Sequence, residues 1–387
     1  MTTVVVSSVI ANKPLNGGNA WAVLGWVLGL KRLGFRVCFV EQIGRESCVD
    51  VTGATTAFEQ SVNLAYFKRV TEEFGLAGSA ALVYEDSEQV YGLPYAELVG
   101  IAEAADLLVN ITGHLTLEPL RRGIGRKAYV DLDPGFTQFW HASGDAGPRL
   151  DGHDFYFTVG ENIGTQACTI PVAGIRWRPT RQPVTLDHWP VSGEGAADRF
   201  TTVATWRGPY GSVRYGNKTF GSKVHEFRKV IEMPERVPQT IEIALDIYPA
   251  EERDLHLLHR YGWRLVDPRI TVPNPDAFRR YVQGSGAEFS VAQQVYTQTR
   301  SGWFSDRTVR YLASGKPALV QDTGFGRNYP VGEGLLAFST LEEAVAGAGR
   351  IARDYEKHCR AARALAEEYF DSDRVLGRFV EEVGVAP

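Results

Sequence analysis

The sequence predicts an α/β protein built as two doubly wound domains in tandem. Three observations predict it. Residues 4–41 run through a β-branched stretch, a glycine loop, an apolar pattern at helical spacing and a second β stretch, which is one βαβ unit. That periodicity stops between residues 175 and 200, where Pro179, Pro183, Pro190, Gly193 and Gly195 fall among polar residues, and it restarts at Phe200. A length of 387 residues exceeds one ordinary core and suits two.

Each element has its own signal. Residues 4–10 are apolar and β-branched, and Ala20, Val23, Leu24, Val27 and Leu28 then recur at helical spacing. Gly34 is the expected C-cap of that helix, and residues 36–41 (RVCFVE) the next strand. Residues 104–111, 127–132 and 153–159 read as buried parallel strands that end in polar residues, so the loops beyond them should face one crevice. After residues 175–200, read as the interdomain linker, residues 200–206 predict a strand, followed by a Gly-rich loop and a helix over 223–231. The alternation continues with a strand at 240–247, a helix at 250–261, a strand at 264–267, a helix at 275–283 and a strand at 287–292. Helices rich in Ala, Glu and Arg are expected over 341–351, 354–370 and 373–383. No internal repeat is visible.

Composition narrows the function. Hydrophobic residues at 44% and charged residues at 22% leave no room for a large disordered tail. A net charge of −5 without any block of like charges argues against a nucleic-acid partner. The longest apolar stretch, residues 21–30, is about half of what a membrane span needs. No integral membrane segment is therefore expected, and the strand-like N-terminus points to a cytoplasmic protein. Cys38, Cys48, Cys168 and Cys359 lie far apart without zinc spacing and read as buried thiols.

Residues 302–324, GWFSDRTVRYLASGKPALVQDTG, sharpen the reading. They resemble the donor-site helix and strand of GT-B glycosyltransferases of the glycogen-synthase-like, family 4 type. Ala313, Gly315 and Pro317 match the turn after that helix, residues 318–320 the strand, and Asp322 and Gly324 the short loop; VGEGLL (331–336) and LNGGNAW (15–21) also fit. The resemblance implies two Rossmann-like domains facing each other across a cleft. Residues 1–180 would bind the acceptor, residues 198–370 the nucleotide sugar, and residues 371–387 would pack back on the first domain. One departure stands out: Trp303 and Arg310 occupy the positions aligned with the family's pair of glutamates.

Sugar transfer from a nucleotide diphosphate sugar releases a diphosphate, so cations or backbone N–H groups must meet growing negative charge. Ser301, Gly302, Ser305, Asp306 and Arg307 begin the donor helix, whose N-terminus is an expected anion site; the alternative is that the serines only cap it and Asp306 only complements its dipole. The resemblance places Arg207 with Lys218 or Lys223 on the pyrophosphate, Lys223 foremost, and Asp322, Thr323, Gly324 and Glu333 near the donor. In the first domain it places His114, in NITGHL, near the sugar as a candidate for proton transfer. Asp131 and Asp133, in DLDPG, would orient an acceptor hydroxyl, or else form an Asx turn before Pro134. Asn16, Gly17 and Gly18 form the Gly-rich loop; they and Asn12 lie where the resemblance puts the catalytic histidine of inverting relatives, and since none is a base the resemblance implies a retaining mechanism. Trp21, Phe136, Phe139 and Trp140 are candidates for an apolar acceptor pocket.

The expected partners are therefore a UDP-, TDP- or GDP-linked sugar as co-substrate and a small-molecule acceptor, with no cofactor and no metal. A homodimer is compatible with this reading. Two rivals keep the same fold, a nucleotide-sugar epimerase and a non-catalytic binding subunit, the latter favoured by the missing glutamates. A nicotinamide-dependent dehydrogenase is disfavoured, because no GxGxxG follows the first strand and Glu41 is the nearest thing to a ribose-binding acid.

Overall fold

A computed structural model describes residues 1–193, 197–208 and 210–387. Gly195 of the expected linker and Pro209 of the expected Gly-rich loop lie outside the described residues.

Eight strands form the first sheet: β1 (Thr3–Ser7), β2 (Arg36–Ile43), β3 (Ala80–Tyr84), β4 (Val90–Gly92), β5 (Leu107–Ile111), β6 (Lys127–Asp131), β7 (Phe155–Thr158) and β8 (Trp177–Pro179). Their order is β4-β3-β2-β1-β5-β6-β7-β8, parallel throughout except for the β3–β4 pair. β1 is buried along its whole length because β2 and β5 flank it and helices cover both faces. The second sheet holds β9 (Arg199–Thr205), β12 (Thr240–Asp246), β13 (Arg264–Val266), β14 (Ala287–Ser290), β15 (Ala318–Gln321) and β16 (Leu335–Phe338), all parallel, in the order β13-β12-β9-β14-β15-β16. Between β9 and β12 the chain adds a hairpin, β10 (Val213–Tyr215) and β11 (Lys218–Phe220). In each sheet the strand order reverses at the first strand, which opens a crevice at the strands' C-terminal ends.

The first helix, Gly17–Arg32, is apolar on nearly every side because it is enclosed on nearly every side. Gly25 and Gly29 explain how. A Cβ at Gly25 would lie 2.4 Å from the Pro183 carbonyl oxygen, and one at Gly29 would lie 2.5 Å from Leu376. The missing side chains let the segment after β8 and the C-terminal helix Ser372–Val383 press against the helix backbone. Trp26 and Phe157 both pack on Phe379 of that C-terminal helix.

The segment after β8 is not loose chain. The Val184 amide donates to Phe370 O at 2.9 Å, Ser372 donates back to Val184 O at 2.9 Å, and Trp189 is fully buried. Proline and glycine break the periodicity there without loosening the packing. A single apolar core runs from the first sheet through the first helix to Phe278, Tyr311, Phe304 and Phe370 of the second half. A smaller aromatic cluster joins Phe136 and Phe139, on the helix Phe136–Ala142, to Phe220 of the hairpin and to Val295 and Tyr296.

Candidate functional site

The two sheets point the C-terminal ends of their strands at a shared cavity of about 520 Å³. Ser8 and Val9 beyond β1, His114 beyond β5 and Asp133 beyond β6 line it from the first sheet. Thr205 of β9, Asp246 of β12 and Arg269 beyond β13 line it from the second.

His114 reaches the cavity through a turn with two left-handed residues, Thr112 at φ +53° and Gly113 at φ +68°. The Asn110 side chain fixes that turn, its Oδ1 accepting from Leu115 N at 3.0 Å and its Nδ2 donating to Leu115 O at 3.1 Å. A non-glycine residue held at positive φ in a site-lining loop is strain sustained by its surroundings. Burial, with Lys13 and Arg149 adding repulsion, lowers the pKa of His114 to about 4. The imidazole is therefore neutral near pH 7, suited to hydrogen bonding and too weakly basic for the proton transfer expected of it.

The two aspartates of DLDPG have separate fates. Asp133 lines the cavity and accepts from the Tyr210 hydroxyl at 3.2 Å and the Tyr296 hydroxyl at 3.5 Å, both from the second half of the chain. Burial raises its pKa, with Lys13 opposing. Asp131 is fully buried and faces inward. It accepts from Thr137 Oγ1 and Thr158 Oγ1 at 2.7 Å, Gln138 Nε2 at 2.8 Å and the Asp133 amide at 3.0 Å. With its lone pairs occupied by this network it ties β6 to β7 and to the next helix, so the expected acceptor-orienting role is corrected to a structural one.

On the opposite wall Lys223 is half-buried and faces the cavity. Burial, together with the nearby Arg307 charge, lowers its pKa to about 7, while Asp306 and Glu288 oppose. Asp306 and Arg307 also line the cavity. The Arg307 guanidinium is already engaged, donating to Glu288 at 2.7 Å and Val203 O at 2.8 Å and also bonding Ser290. It is a strut under Lys223 more than a free ligand group.

Several expected donor residues are employed elsewhere. The Gly302 amide donates to Thr323 O at 2.9 Å and the Trp303 amide to Ser301 Oγ at 3.2 Å, so neither is open to a phosphate. Gly302 sits at φ +74°, and a Cβ there would lie 2.8 Å from the Asn162 side chain. Asn162 of the first half in turn donates to Arg300 O at 2.9 Å and Gly324 O at 3.1 Å and, through its amide, to Ser301 O at 3.0 Å. Ser301, Gly302 and Gly324 thus form a domain contact, and Thr323, buried, bonds Trp303 O through its hydroxyl. Ser305 caps the helix Asp306–Ala313 by accepting from Arg307 N at 3.2 Å. Asp322 caps Gly324 N at 2.7 Å and pairs with Arg300. Arg207 is held by Glu251 at 2.9 Å, Lys218 is exposed on β11, and Glu333 pairs with Lys357 at 2.6 Å on the outer surface. None of these last four lines the cavity.

The Gly-rich loop is also an interface. Gly17 N donates to Val272 O at 3.1 Å, and a Cβ at Gly17 would meet Asn274 O at 2.1 Å. Gly18 lies under the Phe278 ring, and Asn16 caps the first helix at 3.0 Å. Asn16 and Gly18 line the cavity. Trp21, Phe136 and Phe139 are buried in packing and Trp140 rests on Tyr210, so the expected apolar acceptor pocket is absent from the cavity lining.

Sequence reasoning missed Lys13, Asp246, Gln182 and Arg269 in the cavity lining. Lys13 and Asp246 carried a usable signal, since Lys13 lies in the loop after β1 and Asp246 is the last residue of β12. The Lys13 loop is held by Glu41, whose carboxylate accepts from the amides of Ile10, Ala11 and Asn12 at 2.7 to 2.8 Å. Gln182, in the proline-rich segment, carried none. Among the described residues no group of three or more His, Cys, Asp or Glu side chains converges to hold a metal ion, and no helix is long and apolar enough to cross a membrane.

No protein-family model matches the sequence, and no curated protein does. Solved structures match over the whole chain. HepE of Anabaena, solved with UDP-glucose, aligns with a TM-score of 0.60 at 13% identity, covering 99% of this chain and 100% of its own. Sucrose-phosphate synthase of Thermosynechococcus elongatus aligns at 0.56 and 12% identity, covering 99% of each chain. The pneumococcal O-GlcNAc transferase GtfA, solved with UDP and GlcNAc, aligns at 0.53 and 11% identity, covering 99% of this chain and 98% of its own. With the two parallel sheets facing one cavity, these alignments show that the chain has the GT-B glycosyltransferase fold.

Proposed function

We propose that the chain is a nucleotide-sugar-dependent glycosyltransferase, moving a sugar from a nucleoside diphosphate to a hydroxyl or other nucleophile of a small-molecule acceptor. One observation carries this reading: Lys223 faces a cavity whose other wall holds the neutral His114, and a bound anion would favour the protonated form of Lys223. Full-length alignment with structures solved with UDP-glucose and with UDP and GlcNAc supports it.

In this reading the residues divide the work as follows. The bond between the anomeric carbon and a diphosphate oxygen breaks, and its electron pair leaves with the diphosphate. Lys223 stabilises that charge, a task that gains strength in a cavity shielded from water. His114, neutral, hydrogen-bonds a sugar hydroxyl and orients the ring. The acceptor oxygen bonds to the anomeric carbon on the face that the diphosphate leaves, and its proton passes to the departing diphosphate. That route retains configuration. Residues 1–180 would supply the acceptor side and residues 198–370 the nucleotide side.

A thermal-shift screen with UDP, TDP and GDP and their hexose esters tests the reading, because a ligand at ~100 times its Kd adds ~2.7 kcal/mol to stability. Stabilisation by one base series, followed by release of its diphosphate with an acceptor present, supports transfer. No stabilisation by any of them refutes it. A second reading, a nucleotide-sugar-binding subunit without turnover, is favoured by Arg207's capture by Glu251 and by Arg310 in place of a glutamate. Binding without turnover across an acceptor panel would select it.

A further inference from the structure

Arg310 is one of the two positions at which this chain departs from the pattern it resembles, and it organises one end of the cavity. Its guanidinium is fully buried and donates to three backbone carbonyls: Asp306 O and Trp21 O at 2.8 Å and Pro183 O at 3.3 Å. Those carbonyls belong to the helix Asp306–Ala313, the first helix and the segment between the sheets. Asp306 itself and the chain neighbours of the other two, Ala22 and Gln182, line the cavity. One cation therefore draws Gln182, Asp306 and the small side chain of Ala22 together.

Gln182 is the anomaly of this group. It is 5% exposed, and its Oε1 is buried with no hydrogen-bond partner. Leaving a buried amide oxygen unpaired costs its full desolvation penalty, so a fold that kept it for packing alone would be expected to carry an apolar side chain. An amide presents an acceptor and a donor at one end, which matches a hydroxyl, itself both donor and acceptor. Asp306, beside it, is within the field of Lys223 on the diphosphate side.

We propose that Gln182 is a specificity-determining residue that hydrogen-bonds a hydroxyl of the donor sugar in the part of the cavity that Ala22 and Asp306 also line. This rests on the nucleotide-sugar reading above. Arg310 holds the neutral amide in position through the carbonyl of its chain neighbour Pro183. A site built this way rejects a donor lacking the hydroxyl, because the amide would again be buried unpaired.

The test is calorimetry on the full chain and on Gln182→Leu, using UDP against UDP-glucose, GDP against GDP-mannose and TDP against TDP-glucose. For the pair that wild type binds, the variant should keep its diphosphate affinity within about twofold and lose about tenfold or more for the sugar ester. Its melting temperature without ligand should be equal to or above that of wild type, a change that loss of a structural contact would not give. An unchanged sugar-ester affinity, or a lowered melting temperature, overturns the assignment of Gln182 while leaving the wider reading standing. Failure of wild type to bind any of the six ligands overturns the nucleotide-sugar reading, and this inference with it.

Discussion

Lys223 makes binding depend on pH, and the sign follows from its position. Burial and Arg307 hold its pKa at about 7, well under the ordinary lysine value, while Asp306 and Glu288 limit the fall. A bound diphosphate favours the protonated amine, so the pKa rises on binding and a proton is taken up. Affinity is then full below pH 7 and falls as pH rises through it, by about tenfold at pH 8 and about a hundredfold at pH 9 relative to pH 6. Lys223→Met should bind about 10 to 150 times more weakly at pH 6, the worth of a charge-assisted hydrogen bond, and should meet the wild-type curve near pH 9. Lys223→Arg should stay flat across the range, because a guanidinium does not titrate there. The ligand should be the sugar ester, which lacks the terminal phosphate proton that titrates near pH 6. Calorimetry in two buffers of different ionisation enthalpy reads the proton uptake directly. A flat wild-type profile, or a Lys223→Met profile as steep as wild type, would refute the placement of the diphosphate on Lys223.

Three further outcomes follow from named contacts. His114→Asn should lower kcat by about 10- to 100-fold with sugar-ester affinity changed by less than about threefold, and the wild-type rate should hold from pH 7 to about 5, because His114 protonates only near 4; equal losses in both quantities would make it a ground-state binding group. Asp131→Ala should lower the melting temperature by about 5 to 10 °C by removing the acceptor shared by Thr137, Gln138 and Thr158; a stable variant with lost turnover would return Asp131 to the chemistry. Gly302→Val should cost about 2 to 4 kcal/mol, since it combines a positive φ with a contact 2.8 Å from Asn162, and limited proteolysis should then cut between the two sheets; native stability would show that Asn162 yields.

The sequence carried the strands of both sheets that alternate with strong helical patterns. β1, β2, β5 and β6 are long buried runs bounded by glycine or charge, and such runs leave a strong trace. It did not carry β3, although that strand is five residues long and nearly all buried, nor β4, β8 or the β10–β11 hairpin, whose three-residue strands are too short to show a period; the hairpin is held by what it packs on, Phe139 against Tyr215 and Phe220. Of the site, Lys223, His114, Asp133, Asp306 and Arg307 were legible because each lies directly beyond a strand or at a helix start. Gln182 was not, because only the convergence of three carbonyls on Arg310 brings it to the cavity.

Where the motif misled, it did so in one direction. Positions that read as parts of a glycine loop and a donor-site helix are spent on closing the two halves: Gly17 N on Val272 O, and the carbonyls of Ser301 and Gly324 on Asn162. The two uses have the same local requirement, a backbone stripped of Cβ so that another group can approach, and sequence alone does not say whether that group is a ligand or the other half of the chain. The structure separates them by what stands opposite. At Gly17 it is the Asn274 carbonyl and at Gly302 the Asn162 side chain, whereas Lys223, His114 and Gln182 belong to the lining of the cavity. Substitutions should therefore sort into two groups that do not mix: those at Gly17, Gly302 and Gly324 change stability first and lose binding only as the halves part, and those at Lys223, His114 and Gln182 change binding or turnover while the fold stays at full stability.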